Sequence, residues 1–546
     1  MLKTESLVTD VLVVGSGIAG MMAAIEARKG GARVVLATKA ALGKESSTSR
    51  ANVFRVSTEN PDEVKDIPGY DLKPGKYIED PRLVRTLLDE APRQIQNIIS
   101  LGVPMVQSAG SREGVIIWRA KGGDQSHGGT VTLDILSKVA KSLGVQAVEG
   151  CSMITLLKDG DRAIGASGLL NDGSWLSIYS KAVILATGGG GGMSRISTTF
   201  RAIAGNGYAM ALKAGLLLKN MEFNTFYAVA LPTPSGRYLQ CHPAMLMMKN
   251  VRLLNDKDED IVKKHLGMIL QEAVPPVCLR FDWLPRVVAA ELTEGKVRLD
   301  MTGVPQEEWD KLLEKYWEEI RETGVDVKRD MLSIMPMSHF FGGGLIVDTS
   351  ARTSLRGLYA AGEVVAGRRA EGTITNLPSC LAMGAIAGKN AAAEIQGMQA
   401  PPQMAEDEGF KLATSLLGRD GKAKPVEVGD QIRDIVYRYA NPYKNERSVK
   451  EGLEKLYALE KASADMECKD TTELKAALET QAMFLASKAV LLPSLLRTES
   501  RGGFYRSDFP DRDDENWLRP VLSYYDAKNQ EVKVERGEKI TYESEE

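Results

Sequence analysis

The chain has 546 residues, more than the ~250–300 at which one hydrophobic core stops growing, so several domains are expected. Its 69 basic and 72 acidic side chains nearly balance, which gives no indication of nucleic acid or an anionic membrane as a partner. No apolar run of about 18 residues occurs and the first residues lack a signal-peptide core, so we expect a soluble, cytoplasmic protein without direct membrane insertion.

The first predicted element is a buried strand, residues 10–14, that enters a Gly-x-Gly-x-x-Gly turn and then a helix of small residues. Gly15 allows the tight turn, Gly17 lets backbone N–H groups approach a pyrophosphate, and Gly20 lets the helix pack closely on its strand. The helix N-terminus then faces the phosphates. The alternative is a glycine turn in an unrelated α/β sheet. We predict a dinucleotide site that includes Gly15, Ser16, Gly17, Ala19 and Gly20.

A second strand, residues 33–37, ends at Thr38 and Lys39. Rossmann domains that bind nicotinamide cofactors usually carry Asp or Glu at this place, for the ribose. A generic NAD site is therefore not favoured, and Thr38 and Lys39 are candidate contacts of another dinucleotide.

Two later strands favour FAD. Residues 181–185 lead into Ala186-Thr187-Gly188-Gly189, and residues 353–363 end in Ala-Ala-Gly362-Glu363. Both look like the supporting motifs of two-dinucleotide-binding-domain flavoproteins, where the acid after the last glycine grips the FAD ribityl chain. The resemblance gives Glu363 that role; the alternative is an acid favoured at a helix N-terminus by the helix dipole.

The cysteines and histidines predict no second redox centre. The five cysteines are scattered without Cys-x-x-Cys spacing, so neither a disulfide framework nor an iron–sulfur cluster is indicated. The four histidines form no His-x-x-x-His pair, so we expect no metal site. The redox chemistry is therefore expected on a bound organic cofactor.

Four further segments, residues 204–211, 220–223, 338–344 and 497–510, resemble those of a known family. Over nearly its whole length the chain is similar to the flavoprotein subunits of the succinate dehydrogenase, fumarate reductase and L-aspartate oxidase family. The resemblance implies an α/β, Rossmann-like two-dinucleotide-binding-domain FAD fold, with an inserted α/β capping domain and a C-terminal helical domain.

The resemblance also implies the domain order. We expect an FAD-binding domain at residues 1–230 and 335–397, a capping domain at 231–334, a helical domain at 404–520 and a polar tail at 521–546 that lies along the surface. Within the helical domain, residues 448–451 and 470–473 each predict a helix start with a capping box.

The mode of FAD attachment is predicted from residues 46–48. Members of the family that bind FAD covalently use the histidine of a Ser-His-Thr segment, and the matching residues here are Ser46, Ser47 and Thr48. Because a serine hydroxyl cannot form the histidyl–flavin bond, we expect non-covalent FAD, with the segment from Ser46 to Asn52 along the isoalloxazine. Asn206, Gly362 and Ser379 are further cofactor contacts that the resemblance implies.

In this family an arginine moves the substrate proton while a clamp of histidine and arginine binds carboxylates. His339 matches one clamp histidine and Arg286 matches the proton-transferring arginine, but the aspartate that follows this arginine in the family is missing. Tyr227 stands at the second clamp histidine, and His242 is a further catalytic candidate. A satisfied core histidine and a structural salt bridge are the alternatives for His339 and Arg286.

The dicarboxylate-binding loop has no counterpart, because residues 240–248 are largely apolar and the spacing around Arg368 and Arg369 differs. Each charge-assisted hydrogen bond to a carboxylate is worth about 1.5–3 kcal/mol, so the loss of several disfavours free fumarate or succinate. We expect a larger or less charged substrate that packs on Tyr227 and on three methionines, unless these methionines fill the core: Met245, Met247 and Met248.

The leading hypothesis is an FAD-dependent oxidoreductase, the flavoprotein (alpha) subunit of a complex that exchanges electrons with an iron–sulfur partner. One alternative is a flavoprotein like the adenylylsulfate reductase α subunit, which shares this fold. Another is a non-catalytic flavin electron relay, and an oxygen-using oxidase of the L-aspartate type is a minor variant.

Overall fold

The computed structural model describes residues 2–51, 53–57, 78–107, 115–121, 128–241, 243–273, 283–312, 314–367, 376–403 and 407–540. The strands of this part of the chain are β1 Thr4–Val14, β2 Val34–Ala37, β3 Phe54–Ser57, β4 Met105–Gln107, β5 Val115–Ala120, β6 Gln146–Val148, β7 Cys151–Asp159, β8 Arg162–Leu170, β9 Trp175–Leu185, β10 Leu218–Lys219, β11 Asn224–Pro232, β12 Tyr238–Gln240, β13 Arg252–Leu254, β14 Val297–Asp300, β15 Leu332–Phe341, β16 Gly344–Leu345, β17 Leu358–Ala360, β18 Val521–Asp526 and β19 Glu531–Arg536.

The helices are α1 Ile18–Lys29, α2 Pro81–Ser100, α3 Gly128–Ser142, α4 Asn206–Lys213, α5 Pro243–Leu246, α6 Ile261–Leu266, α7 Leu270–Ala273, α8 Leu284–Glu291, α9 Gln306–Trp309, α10 Glu314–Glu322, α11 Asn376–Glu394, α12 Glu408–Leu416, α13 Pro425–Tyr439, α14 Glu446–Ala462, α15 Thr471–Leu496 and α16 Asp514–Trp517. Short 3-10 turns lie at Ser47–Arg50, Gly191–Met193 and Gly362–Val364.

The main sheet has the strand order β6-β2-β1-β9-β8-β7, and β17 also pairs with β9. The run Val11–Val14 is buried on both faces, as expected for an inner parallel strand covered by helices. In the parallel register Val14 lies opposite both Ala37 and Leu185, and Leu185 opposite Ala360. The carboxyl ends of four strands therefore meet at one edge, where α/β sheets bind their ligands.

A second sheet, with the strand order β12-β11-β15-β14-β13, extends beyond the predicted capping domain, because β11 begins at Asn224 and β15 ends at Phe341. It has a hydrophobic core of its own, whose buried members run from Ala228 to Ile334. Helix α8 packs against β11 and β15, the two strands that enter and leave this sheet. These strands therefore connect the cap directly to the edge of the main sheet.

The C-terminal part consists of helices α12–α15 followed by a hairpin. The chain after Pro520, expected to lie along the surface, instead forms β18 and β19, which join β10 and β16 in a four-stranded sheet. Val521 and Ser523 are fully buried there. The mixed polar and apolar sequence of this segment did not predict the pairing, because alternate residues of β18 face the core while the others remain accessible.

One of the two predicted helix starts is displaced. Helix α14 begins at Glu446, and Asn445 is its N-cap, with Ser448 completing the capping box as the third helical residue. The prediction made Ser448 the N-cap, whereas it is the third residue of the helix. Helix α15 begins at Thr471 as predicted, with the Asp470 carboxylate accepting the N–H groups of Thr472 and Glu473. The other half of the predicted box is not formed, because the Glu473 carboxylate accepts the N–H of Lys469.

A buried ionic network connects the C-terminal run to the chain before β11. The Arg497 guanidinium lies 2.7 Å from the Glu222 carboxylate and 2.8 Å from that of Glu499, and all three side chains are fully buried. Glu499 also binds Arg501 at 2.8 Å. Because breaking a buried pair leaves an uncompensated charge, this network fixes the position of the loop at residues 502–505.

In the part of the chain that the structure describes, we find no helix with the length and apolar character that crossing a membrane requires. Likewise, the described residues include no group of three or more His, Cys, Asp or Glu side chains placed to hold a metal ion.

Candidate active site

The glycine turn between β1 and α1 has two glycines that the fold itself requires. Gly15 has φ +109°, and a Cβ there would lie 2.2 Å from the carbonyl oxygen of Ala186. A Cβ on Gly20 would lie 1.9 Å from the carbonyl oxygen of Gly15. At Gly17, in contrast, a Cβ would meet nothing closer than 3.7 Å. Protein packing therefore does not explain Gly17, whereas the approach of a ligand to the backbone does.

The segment at residues 46–51 covers this turn. The Thr48 hydroxyl accepts the N–H of Ile18 at 3.2 Å, in the first turn of α1. The Ser16 and Thr38 hydroxyls lie 2.9 Å apart, and Ser16 also accepts the N–H of Gly43 at 3.1 Å. The structure thus gathers these predicted cofactor residues at the carboxyl end of the sheet.

Lys39 hydrogen-bonds to the side chain of Asn206, another predicted cofactor contact. Its ammonium group donates to the carbonyl of Ala202 at 3.1 Å and to the Asn206 side chain at 2.9 Å, and it pairs with Glu479 at 2.9 Å. Since an ammonium has three donors, these acceptors satisfy it. Burial opposes the charge on Glu479, but Lys39 holds the pKa of that carboxyl below its usual range. Lys39 therefore orients the Asn206 amide, with its nitrogen turned away from the lysine.

The motif around Glu363 lies against the same turn. A Cβ on Gly362 would lie 2.8 Å from that of Ala19. A carboxylate oxygen of Glu363 accepts the N–H of Phe341 at 3.1 Å, so it is tied to the end of β15. A Cβ on Gly189 would lie 2.2 Å from this carboxylate, so only glycine leaves room for it.

Several buried polar atoms around the turn have no hydrogen-bond partner among the described residues. They come from the covering segment, from the end of β9 and from the start of α4: Ser46 Oγ, Ser47 Oγ, Thr187 Oγ1 and Asn206 Nδ2. Buried polar groups in folded proteins nearly always have partners, so an unpaired cluster indicates a ligand. A flavin dinucleotide supplies ring, ribityl and phosphate groups of both polarities, and the residues present fit it.

His339 and Tyr227 meet on the cap sheet. Their ring centroids are 4.8 Å apart with an interplanar angle of 83°, an edge-to-face contact. His339 lies at an irregularity of β15, because Thr225 pairs with Phe340 but Phe226 pairs with Ser338. Such a bulge redirects a side chain. Nδ1 of His339 and the Thr198 hydroxyl are 2.8 Å apart, which fixes the orientation of the ring.

Two arginines lie near the cap strands: Arg50 is linked to His339 through Thr198, and Arg286 is on α8, which packs against β11 and β15. Arg50 donates to the carbonyls of Thr198 and Thr199 at 3.2 and 3.1 Å, and its guanidinium lies 3.8 Å above the ring of Phe200. Burial and the nearby Arg237 lower the pKa of Arg50. The second arginine, Arg286 on α8, has its Cζ 4.4 Å from the centroid of the Tyr505 ring and, within the described residues, no carboxylate in ion-pair distance.

Other predicted site residues have mixed outcomes. Ser379 is fully buried at the start of α11, and Gly188 adopts φ +76° after β9. Met245 and Met248 are 1% and 4% exposed and belong to the core of the cap, so they present no surface to a substrate. The following predicted residues lie outside the described part of the chain: Asn52, His242, Arg368 and Arg369.

Sequence reasoning missed four residues of this region: Arg50, Thr198, Glu479 and Tyr505. Arg50 and Tyr505 lie inside segments that the resemblance had already marked, so their positions offered a signal. Thr198 and Glu479 offered none, because Thr198 contacts a residue 141 positions away and Glu479 reaches Lys39 from the C-terminal helices.

Comparisons with known proteins agree with this geometry. The family described as FAD binding domain matches residues 10–373, and the family described as fumarate reductase flavoprotein C-term matches residues 429–545. A fumarate reductase (CoM/CoB) subunit of Methanothermobacter marburgensis is 26% identical over 553 residues, which cover 95% of this chain and 98% of that protein. L-Aspartate oxidase of Caulobacter vibrioides is 27% identical over 523 residues, with 92% and 94% covered.

Among solved structures, Sdh1 of Mycobacterium smegmatis in complex with UQ1 superposes with a TM-score of 0.83, at 24% identity, covering 99% of this chain and 95% of that one. This likeness confirms the predicted fold, and the family matches confirm FAD as the cofactor. The chain therefore belongs to the FAD-dependent oxidoreductase family of the fumarate reductase, succinate dehydrogenase and L-aspartate oxidase flavoproteins.

Proposed function

We propose that this protein is the flavoprotein subunit of an oxidoreductase that exchanges electrons between non-covalently held FAD and an organic acid other than free fumarate or succinate. The observation that carries the proposal is the contact between His339 and Tyr227 on the cap sheet. A small dicarboxylate is bound best by two cationic groups. Here the imidazole of His339 has a neutral phenol, that of Tyr227, at the position of the second one.

Non-covalent attachment is supported by the covering segment. Ser46 and Ser47 are hydroxyl residues, and neither side chain has a partner in the described part of the chain. Hydroxyls can hydrogen-bond to an isoalloxazine ring but cannot form the histidyl linkage. His339 is on a different element, β15, and is tied to Thr198 at 2.8 Å.

When bound, FAD supplies the exchange of two electrons as a hydride with a substrate carbon. The protein's contribution is to bind, orient and desolvate the substrate. The bulge directs His339 out of its strand, and Thr198 fixes the plane of its ring. Arg286 offers a guanidinium that can bind a carboxylate in bidentate fashion, and Arg50 adds positive charge beside Thr198.

The energetics favour a substrate with one carboxylate and an apolar body. A charge-assisted hydrogen bond to a carboxylate contributes about 1.5–3 kcal/mol, so a phenol in place of a cationic clamp group lowers affinity for a second carboxylate by about one to two orders of magnitude. The Tyr227 ring instead offers an apolar face, and the substrate gains about 25 cal/mol for each Å² that it buries against such a face.

An iron–sulfur partner is supported by the cysteine pattern of this chain and by one relative. Its five cysteines are scattered, and the four that the structure describes are unbridged, with Cys151, Cys241 and Cys468 buried. The relative from Methanothermobacter marburgensis is named as one subunit of its enzyme. Electrons would then reach the FAD of this chain through a separate protein.

The reaction is tested with the FAD-loaded protein, reduced anaerobically with limiting dithionite. The reduced protein is mixed with fumarate, crotonate or cinnamate, and the return of oxidised flavin absorbance is followed. We expect the monocarboxylates, and cinnamate above all, to reoxidise the flavin faster than fumarate. The His339→Ala variant should lose this reaction, while His265→Ala on cap helix α6 should keep it.

Fumarate reacting fastest, or His339→Ala reacting like the native protein, would contradict the proposal. Rapid reoxidation by air would favour an oxidase of the L-aspartate type instead. The partner is tested separately by capturing the tagged protein under anaerobic conditions and measuring iron and acid-labile sulfide in what co-purifies. Capture without iron, from cells that make the protein natively, would argue against an iron–sulfur partner.

A further inference from the structure

Arg286 is held by an aromatic ring. Its Cζ lies 4.4 Å from the centroid of the Tyr505 ring, and Tyr505 in turn stacks on Tyr443 with centroids 5.8 Å apart and planes inclined by 28°. Within the described residues no carboxylate lies in ion-pair distance of Arg286. The guanidinium is therefore supported on one face by a stack of two aromatic rings.

The buried arginines of the C-terminal run differ from Arg286 in their partners. Each is paired with at least one carboxylate: Arg497 with Glu222 and Glu499, Arg501 with Glu499 and Asp514, and Arg506 with Asp508. A carboxylate partner occupies the planar N–H donors of a guanidinium. An aromatic face attracts the cation without using any of these donors, since they point outward in the guanidinium plane.

The ring that supports Arg286 is on a loop next to β11 of the cap sheet, where a Cβ on Gly503 would lie 4.0 Å from the Thr225 hydroxyl. Arg501 and Phe504 exchange backbone hydrogen bonds of 2.9 and 3.0 Å, and the buried Arg501 and Arg506 anchor the two ends of the loop. The Phe504 ring packs on Phe223, with centroids 5.7 Å apart, just before β11. The support is therefore formed before any substrate binds, which lowers the entropic cost of binding.

We propose that Tyr505 is a positioning residue that holds Arg286 by its ring, so that the donors of the guanidinium are kept for one carboxylate of the substrate. This inference rests on the proposed function, since it assigns the carboxylate-binding group of that reaction. The inference also assigns Arg286 to binding of the substrate carboxylate and not to transfer of the substrate proton. An arginine that relays a proton needs a carboxylate arranged beside it, and the described residues give Arg286 an aromatic ring in that place.

The test uses FAD-loaded protein and four variants: Tyr505→Phe, Tyr505→Leu, Arg286→Lys and Tyr525→Leu. The last is the control, because Tyr525 of the C-terminal hairpin also contacts a cation, Lys213, with Nζ 4.1 Å from the ring centroid and 2.6 Å from the hydroxyl. Crotonate and cinnamate are titrated into each protein by calorimetry and by the change in flavin absorbance. FAD content and melting temperature are recorded to show that each variant is folded.

We expect Tyr505→Phe to bind within about twofold of the native protein, because it keeps the ring. Loss of the ring removes about 0.5–2 kcal/mol of cation–π attraction, so Tyr505→Leu should raise the Kd of both acids about 2- to 30-fold. Arg286→Lys should weaken binding at least as much, and Tyr525→Leu should leave it unchanged. Equal affinity of Tyr505→Leu and native protein would overturn the inference, as would Tyr505→Phe binding as weakly as Tyr505→Leu.

A second readout is independent of any substrate. Phenylglyoxal modifies accessible guanidinium groups, and its rate at Arg286 is followed by mass spectrometry of the peptide. We expect several-fold faster modification in Tyr505→Leu than in the native protein or Tyr505→Phe. If the native protein binds neither acid, the proposed function fails, while the labelling rates still decide whether Tyr505 positions Arg286. Equal labelling rates in all three proteins would refute the positioning role.

Discussion

A substitution at Gly17 should weaken binding of the cofactor without destabilising the fold. Its backbone has φ −68° and ψ −179°, which alanine adopts without strain, and the added Cβ would meet no protein atom closer than 3.7 Å. We therefore expect the Gly17→Ala apoprotein to match the native apoprotein in stability to within about 1 kcal/mol. The methyl group would, however, stand where the turn admits the pyrophosphate.

The expected loss is in cofactor affinity. Displacing a phosphate oxygen from one charge-assisted hydrogen bond removes about 1.5–3 kcal/mol, so the Kd of FAD should rise about 10- to 150-fold. Calorimetric titration of the apoproteins with FAD measures this, together with their melting temperatures. The control variants are Gly303→Ala, whose Cβ also has room in the cap, and Gly20→Ala, whose Cβ would lie 1.9 Å from a carbonyl oxygen.

Gly303→Ala should leave both stability and affinity unchanged, whereas Gly20→Ala should destabilise the apoprotein itself. The reasoning is refuted if Gly17→Ala binds FAD with the native Kd. It is equally refuted if the Gly17→Ala apoprotein melts as early as that of Gly20→Ala, because the glycine would then serve the fold.

Two stability predictions follow from buried charges. Burial lowers the pKa of Lys444 to about 7. Below pH 7 the folded protein holds this buried lysine protonated, and the cost to the free energy of unfolding is largest. Between pH 7 and the ordinary lysine pKa near 10.4, this cost falls by about 1.4 kcal/mol for each pH unit. Lys444→Met should therefore raise the melting temperature more at pH 6 than at pH 9, while the exposed Lys450→Met shows no such trend; a gain independent of pH would contradict this. Glu222→Ala leaves the fully buried Arg497 with one carboxylate fewer and should destabilise the protein by about 3–5 kcal/mol in denaturant titration. A loss below 1 kcal/mol would show that the network does not hold the C-terminal run in place.

The elements that could be predicted are those whose signal is local. The strand–turn–helix at residues 10–29 was readable because Gly15 meets the end of the adjacent strand and Gly20 meets Gly15 within the same motif. The resemblance brought His339 and Tyr227 to the site from motifs on two strands, and the register of β11 and β15 places them together. The FAD-binding fold followed from these motifs in order.

What could not be predicted depends on distant packing. The core position of Met245 is set by the cap helices and not by its apolar neighbours in sequence. Glu479 reaches Lys39 only because the C-terminal helices pack on the main sheet, and β18 of the hairpin after Pro520 pairs with β10, about three hundred residues earlier in the chain. The shift of the capping box to Asn445 is local, but serine and asparagine cap helices about equally well, so composition did not choose between them.

The chemistry proposed for this chain depends on a flavin that is held without a covalent bond to the polypeptide. The most direct measurement is to purify the protein with its cofactor, denature it with acid, and separate the polypeptide from the supernatant. We predict that one equivalent of FAD per chain appears in the supernatant and that the polypeptide is colourless. A flavin that stays with the denatured polypeptide, or a native protein that carries no flavin, would contradict the account.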